Sequence, residues 1–156
     1  MNEDEQGAGY GVRGAGSPLG RIVAVDWGEK RIGFAVSDPL RMIASPAGHL
    51  VRRAGKRPPI APVIARAKAL DAVAMVVGLP LDGNGDETAR CVEVRAVAAE
   101  ITKRTGWTVE LVDERYTTAA ARRAVKELGG RPEDRPGDID ALAATVLLQH
   151  ALGRQR

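Results

Sequence analysis

Short apolar stretches alternate with polar and glycine-containing segments from position 21 onward, and their spacing predicts the secondary structure. Continuous apolar runs of strand length predict buried β-strands over 21–27, 72–80 and 107–115. Residues 31–38 alternate more strongly and follow a tight turn at 28–30, which predicts a β-hairpin with the first strand. A further short strand is expected around 49–52.

Helical spacing of apolar residues predicts helices over 60–70, 88–105, 117–130 and 139–152. The second should end at Gly106 in a left-handed C-cap. Asp138 is placed to cap the last helix. Strands joined through helices pair in parallel by right-handed crossovers. The order therefore predicts an α/β fold, with a mixed, mostly parallel five-stranded sheet and helices on both faces.

The first 20 residues are rich in glycine and show no period, so a disordered leader is expected there. Residues 21–152 then form a single domain, followed by a C-terminal tail at 153–156. No apolar run reaches the length of a membrane span, and no signal-peptide core is present. We therefore expect a cytoplasmic protein without a membrane partner.

The net charge of +3 and the sequence pI near 9.3 permit a nucleic-acid partner without requiring one. Cys91 is the only cysteine, which excludes a disulfide or a cysteine-based zinc site within the chain. His49 and His150 do not stand at metal-ligand spacing from another soft donor. The candidate chemistry therefore depends on carboxylates.

Carboxylates stand where several predicted elements begin or end. Asp26 ends the first strand, Asp113 and Glu114 end the last strand, and Asp140 lies in the first turn of the final helix on its apolar side. Each alone has an ordinary account as a turn residue, an ion-pair partner or a helix-dipole group. Converging carboxylates repel unless a cation lies between them, and oxygen ligands select Mg²⁺ or Mn²⁺. Two such ions support in-line attack on a phosphodiester.

Several basic residues are candidates for contacts with a nucleic-acid backbone. Two lie in the hairpin turn, others in the basic loop after the predicted third strand, and one directly after Glu114. An ordinary solvated surface is the alternative for each of them. The candidates are Lys30, Arg31, Arg52, Arg53, Arg57 and Arg115.

Four blocks of the sequence resemble the signature motifs of the YqgF/RuvX family. They read VDWGEKRIGFAVSDP, VVGLPLDG, VDERYTTAAA and DIDALAATVLLQ, and they stand in order at natural spacing. The resemblance implies an RNase H-like fold and assigns Asp26, Glu114 and Asp140 as catalytic and metal-binding residues. Strand alternation alone cannot choose between Asp113 and Glu114, so that choice depends on the resemblance. Tyr116, where the family commonly has Leu, is a modest departure.

Proteins of this family are described as candidate pre-16S rRNA nucleases and as Holliday-junction resolvase-like. The resemblance therefore implies a divalent-metal-dependent endonuclease with two Mg²⁺ or Mn²⁺ ions. It would process the 5′ end of precursor 16S rRNA in ribosome biogenesis. The alternatives are a resolvase acting on branched DNA and a nucleic-acid-binding module without catalysis. A resolvase would need a homodimer to cut two strands, and no interface for one is evident in the sequence.

Overall fold

A computed structural model describes residues 19–115, the single positions 117, 121, 123, 124 and 127, and residues 136–154. The predicted leader lies outside the described residues except at its end. There, the carbonyl oxygens of Leu19 and Gly20 accept hydrogen bonds from the Arg41 side chain. The predicted helix over 117–130 is described only at the five single positions, all of which are helical.

The five strands form one mixed sheet in the order β3-β2-β1-β4-β5. Both β4 and β5 run parallel to β1, whereas β2 runs antiparallel to its neighbours β1 and β3. Four strands therefore share one direction, as the sequence predicted. Their bounds are β1 Arg21–Trp27, β2 Arg31–Ser37, β3 Ala44–Val51, β4 Ala72–Leu79 and β5 Thr108–Asp113.

The third strand is longer than predicted and begins earlier, at Ala44. It is an edge strand, mostly exposed, and it includes Pro46, so it contains no apolar run that marks a buried strand. Its backbone pairing with β2 defines it instead, from Ser37–Ala44 to Arg31–Val51. The sequence therefore predicted only the C-terminal part of this strand, because the rest is stabilised by tertiary pairing.

Three helices are described in full: α1 Ile60–Ala69, α2 Ala89–Thr105 and α3 Pro136–Arg154. Thr88 is the N-cap of α2, and Gly106 ends it with a φ of 78°, as predicted. The prediction that Asp138 caps the last helix is wrong, because α3 already begins at Pro136 and Asp138 lies within its first turn. The helix also continues to Arg154, so the first two residues of the predicted tail are helical.

Helices cover both faces of the sheet, as predicted. Alternate residues of β1 point to opposite sides: Val23, Val25 and Trp27 join the core that includes residues of α1 and α2. Ile22 and Ala24 join the second core, which contains the apolar residues of α3. Each face of the central strand is therefore buried beneath a helical layer.

Helix α3 packs against β2 at Gly33. A Cβ atom at this position would lie 2.1 Å from the carbonyl oxygen of Asp140. Gly33 is also the register partner of Asp26 on the neighbouring strand β1. The missing side chain thus lets α3 approach the sheet at the level of Asp26. Because α3 begins at Pro136, Asp140 lies in its second turn, whereas the sequence had predicted the first.

Candidate active site at the carboxyl edge of the sheet

Asp26 and Glu114 extend from the carboxyl ends of β1 and β5 toward the side of the sheet that α3 covers. Asp26 alternates in phase with Ile22 and Ala24, which pack in the α3 core. Glu114 is in the same phase as Val112, which belongs to that core too. Because β1, β4 and β5 are parallel, these ends share one edge of the sheet, where open α/β sheets bind ligands.

A glycine on the intervening strand gives Glu114 the room to approach Asp26. A Cβ atom at Gly78 would lie 3.0 Å from the Cβ atom of Glu114 and 3.1 Å from its Oε1 atom. The side chains of Asp26 and Glu114 lie within hydrogen-bonding reach of each other. The Thr117 hydroxyl donates to the Glu114 carbonyl oxygen at 2.8 Å, which anchors the backbone there.

Asp113 has different surroundings from its neighbour Glu114. It is exposed and forms an ion pair with Arg115 at 2.7 Å. The hydrogen bond from Arg115 holds the pKa of Asp113 below its ordinary value. Of the two acids that strand alternation left open, Glu114 is therefore the one that faces Asp26.

The carboxyl pair of Asp26 and Glu114 is poorly solvated and disfavours double ionisation. Burial raises the pKa of Asp26 well above its usual value, and the carboxylates of Glu114 and Asp140 raise it further. Burial also raises the pKa of Glu114, against the hydrogen bond from Asp26 and the charge of Arg90. The Oε1 atom of Glu114 is buried without a hydrogen-bond partner. The two carboxyl groups therefore disfavour ionising together, and one buried oxygen lacks a hydrogen-bond partner.

Asp140 lies on the same side but is engaged by Arg31. The Nε atom of Arg31 donates to Oδ2 of Asp140 at 2.7 Å, and the two side chains are 32% and 20% exposed. Asp140 packs toward the core, as predicted, with Ala143, Ala144, Leu147 and Ala151 buried along its helix. Within the described ranges, no three His, Cys, Asp or Glu side chains are arranged as they stand to hold a metal ion.

The donor set nevertheless fits a hard divalent cation. It consists of carboxylate oxygens, one of them buried and without a partner, and the repulsion between Asp26, Glu114 and Asp140 is the kind that a cation relieves. Asp26 and Glu114 already face each other, and Asp140 is close enough to perturb Asp26. The partner of the Asp140 carboxylate is Arg31.

In EDTA, we expect the Asp26→Asn variant to unfold at a higher temperature than the wild type, by roughly 5 °C near neutral pH. The folded-state pKa of Asp26 lies above its ordinary value of 3.8, so the folded protein keeps a proton that the unfolded chain has released. Wild-type stability therefore falls as the pH rises above about 4, until the pH passes the raised pKa. Asn does not ionise, so the stability of the variant does not fall with pH for this reason.

Thermal unfolding from about pH 4 to pH 8 measures this difference, which should grow with pH. Asp138→Asn is the matched control, because Asp138 is exposed in the first turn of α3. Identical unfolding temperatures for wild type and Asp26→Asn at every pH would show that the pair does not destabilise the metal-free fold.

The predicted basic residues occupy different environments. Arg52 makes contacts within the fold. Its guanidinium donates to both carboxylate oxygens of Glu93 and to the Gly28 carbonyl oxygen. It also stacks 5.4 Å from the centroid of the Trp27 ring. Its side chain is only 11% exposed, so its main contacts are internal. It thereby ties the β1–β2 turn to α2.

Arg53 and Arg57 are exposed, as is Lys30 in the hairpin turn. Arg53 and Arg57 line a shallow pocket of about 250 Å³ beside the end of β3, together with Arg52 and Lys56. Because β3 runs parallel to β1, this basic loop lies at the same sheet edge as Asp26. A phosphate role for these residues stays a prediction.

Arg90 is a residue of this edge that the sequence did not single out. Its Nη2 atom donates to the carbonyl oxygen of Trp27, directly after Asp26, at 2.7 Å. Its charge lowers the pKa of both Asp26 and Glu114, against the larger effect of burial. One sequence signal was available: a cation in the first turn of a helix opposes the helix dipole, which indicates a partner outside the helix.

The architecture is that of an RNase H-like α/β domain, with carboxylates gathered at the carboxyl edge of its sheet. The structure of Thermus thermophilus RuvC in complex with a Holliday-junction substrate matches with a TM-score of 0.52 and 20% identity, over 86% of this chain and 94% of that one. At this identity the likeness is one of fold.

The family follows from the sequence comparison. A family model described as "RuvX: Holliday junction resolvase" matches residues 20–154, and the chain belongs to this family. A relative from Roseiflexus sp. named "Putative pre-16S rRNA nuclease" is 39% identical over 90% of this chain and 99% of its own length. A relative of the same name from Clavibacter michiganensis is 37% identical over 88% of this chain and 86% of its own. The resemblance found in the four motifs is thus confirmed.

Proposed function

We propose that this protein is a divalent-metal-dependent endonuclease that processes the 5′ end of precursor 16S rRNA, acting in the cytoplasm where ribosomes are assembled. The observation that carries the proposal is the half-buried carboxyl pair of Asp26 and Glu114, which meets across Gly78, with Asp140 close enough to perturb it. Relatives that match most of the chain carry the name "Putative pre-16S rRNA nuclease", which supports the substrate class.

The proposed roles follow from the surroundings of each acid. Asp26, central on β1, and Glu114, which reaches it across Gly78, would hold the metal ions between them. Asp140 would complete the ligand set after Arg31 releases it. Bound divalent ions supply a more acidic water and neutralise charge on the scissile phosphate and the leaving oxygen. The chain's own contribution is to hold these oxygens rigidly at the end of a buried sheet.

The release of Asp140 also defines a role for Arg31. Its guanidinium lies beside the acids and would be available for a substrate phosphate once Asp140 turns to the metal ions. Binding of metal and binding of nucleic acid would then favour each other, because each removes a partner of the Arg31–Asp140 ion pair.

A second candidate function is the cleavage of Holliday junctions, which the description of the matching family model favours. Both substrates present the same phosphodiester to the carboxylates, so the reaction would be shared. The two functions would differ in the protein groups that bind the nucleic acid on either side of the cut phosphodiester. They would also differ in whether two copies of the protein act together.

A direct comparison of substrates tests the proposal. With Mg²⁺, we expect an RNA spanning the 5′ end of mature 16S rRNA to be cut at least tenfold faster than a four-way DNA junction with arms of matched length, a difference of about 1.4 kcal/mol in the barrier. EDTA should stop the reaction. Faster, paired cuts in the junction would favour the resolvase, and binding of both substrates without cleavage of either would favour a non-catalytic module.

A further inference from the structure

A cleft beside the acidic pair carries two arginines on facing elements. Its volume is about 420 Å³, and its lining includes the start of α2 and the residues that follow β5. Glu114 lies in this lining, so the cleft opens directly onto one of the proposed metal ligands. The lining residues are Pro80, Leu81, Thr88, Ala89, Arg90, Glu114 and Arg115.

Arg90 and Arg115 both line the cleft, and hydrogen bonds orient each side chain there. Arg90 is exposed, and one of its nitrogens donates to the Trp27 carbonyl oxygen. Arg115 is oriented by Asp113, which accepts from both its side chain and its backbone N–H group. A guanidinium presents its N–H groups as a planar fork that matches phosphate oxygens, so both side chains are suited to a phosphate ligand.

The loop before α2 shapes the other side of this cleft. Asp82 folds the loop by accepting hydrogen bonds from the backbone N–H groups of Asn84 and Asp86. Gly85 adopts a φ of 86°, and a Cβ atom there would lie 3.1 Å from a guanidinium nitrogen of Arg115. The loop conformation and the absence of a side chain therefore leave room for the Arg115 guanidinium.

We propose that this cleft is a phosphate subsite, in which Arg90 and Arg115 bind the nucleic-acid backbone next to the phosphate that is cut. The inference depends on the proposed nuclease function and extends it to a defined path for the strand. The strand would pass from the acids along the carboxyl edge toward β5. The exposed basic loop with Arg53 and Arg57 lies on the opposite side of the acids, beyond β2.

The cleft differs from a surface that attracts nucleic acid only through an excess of positive charge. Asp113 and Glu114 offset the two cations, so nonspecific attraction there is weak. Each arginine instead offers oriented donors within a cleft that Glu114 also lines. The contacts of Arg90 and Arg115 should consequently matter for the position of the strand as well as for affinity.

Binding in the Asp26→Asn background tests the subsite without cleavage. The probe is a fluorescein-labelled single-stranded RNA spanning the 5′ end of 16S rRNA, measured by anisotropy over a range of KCl concentrations. We expect Arg90→Gln and Arg115→Gln each to weaken binding roughly tenfold. Each should also lower the slope of log K against log salt by about 0.7, the value for one phosphate contact of a single strand. Arg90→Lys should retain the slope and recover part of the affinity.

Arg104→Gln is the matched control, since it removes the same charge from the far end of α2, where Arg104 pairs with Glu100. Thermal unfolding checks each variant. If Arg90→Gln does not fold, Arg115→Gln is used alone. We expect Arg115→Gln to fold, because the ion pair that it removes is at the surface. Affinity and salt slope equal to those of Arg104→Gln, in a protein whose wild type cuts RNA, would overturn the subsite and leave the nuclease function intact. A wild type that cuts neither RNA nor junction would overturn both.

Discussion

Asp26→Asn should reduce cleavage by at least about 1000-fold while leaving RNA affinity within a fewfold of the wild type. Asp26 lies at the end of the central strand, between Glu114 on one side and Asp140 on the other. Asn keeps the shape of the side chain but removes the charge that would bind a divalent ion. The loss should therefore appear in kcat more than in KM, because the scissile phosphate loses its charge stabilisation.

Two acids next to each other in the sequence provide the matched comparison. Glu114→Gln should lose activity to a similar extent as Asp26→Asn, because its side chain completes the half-buried pair. Asp113→Asn should lose less than about tenfold, since its contact is the surface ion pair with Arg115. Equal losses at both positions would contradict the assignment of Glu114. Cleavage by Asp26→Asn that also survives EDTA would indicate a different site or a contaminating nuclease.

A readout independent of activity accompanies this test. Mg²⁺ should raise the unfolding temperature of the wild type, because a ligand that binds the folded state stabilises it by mass action. The same ion should raise that of Asp26→Asn much less. A shift of equal size in both proteins would place the divalent ion elsewhere on the protein.

Gly33→Ala should lower the free energy of unfolding by about 3 kcal/mol and cleavage by about 100-fold. The added Cβ atom would lie 2.1 Å from the carbonyl oxygen of Asp140, a backbone atom that cannot rotate away. The second turn of α3 must therefore move off the sheet and take Asp140 away from Asp26. Urea unfolding followed by circular dichroism measures the stability, and single-turnover cleavage measures the activity.

Gly153→Ala is the control for a glycine-to-alanine change that introduces no close contact. Gly153 lies in the last turn of α3, and a Cβ atom there would meet no atom within 4 Å. This variant should be as stable as the wild type or more stable by up to about 1 kcal/mol, because Ala favours the helix. Normal stability and activity in Gly33→Ala would show that close approach of α3 is unnecessary for the site.

The sequence was sufficient to predict most of the architecture and the general position of the site. Buried strands such as β1 and β4 are recognisable in the sequence as apolar runs. A residue at the end of such a strand must lie at the edge of the sheet where the strands end. Parallel strands then bring their carboxyl ends to the same edge. The helical period likewise placed Asp140 on the side of α3 that faces the core.

Only the tertiary structure decided which groups face one another at that edge. Glu114 points to Asp26 because Gly78 leaves space across β4, and clearance between separate strands leaves no local pattern in the sequence. Arg52 appeared in the sequence as part of a basic loop, but the fold pairs it with Glu93 and Trp27. Arg90 acquires its place beside the acids through the packing of α2. Local periodicity therefore determined the elements and their ends, whereas the contacts between distant side chains depended on how the helices and strands pack together.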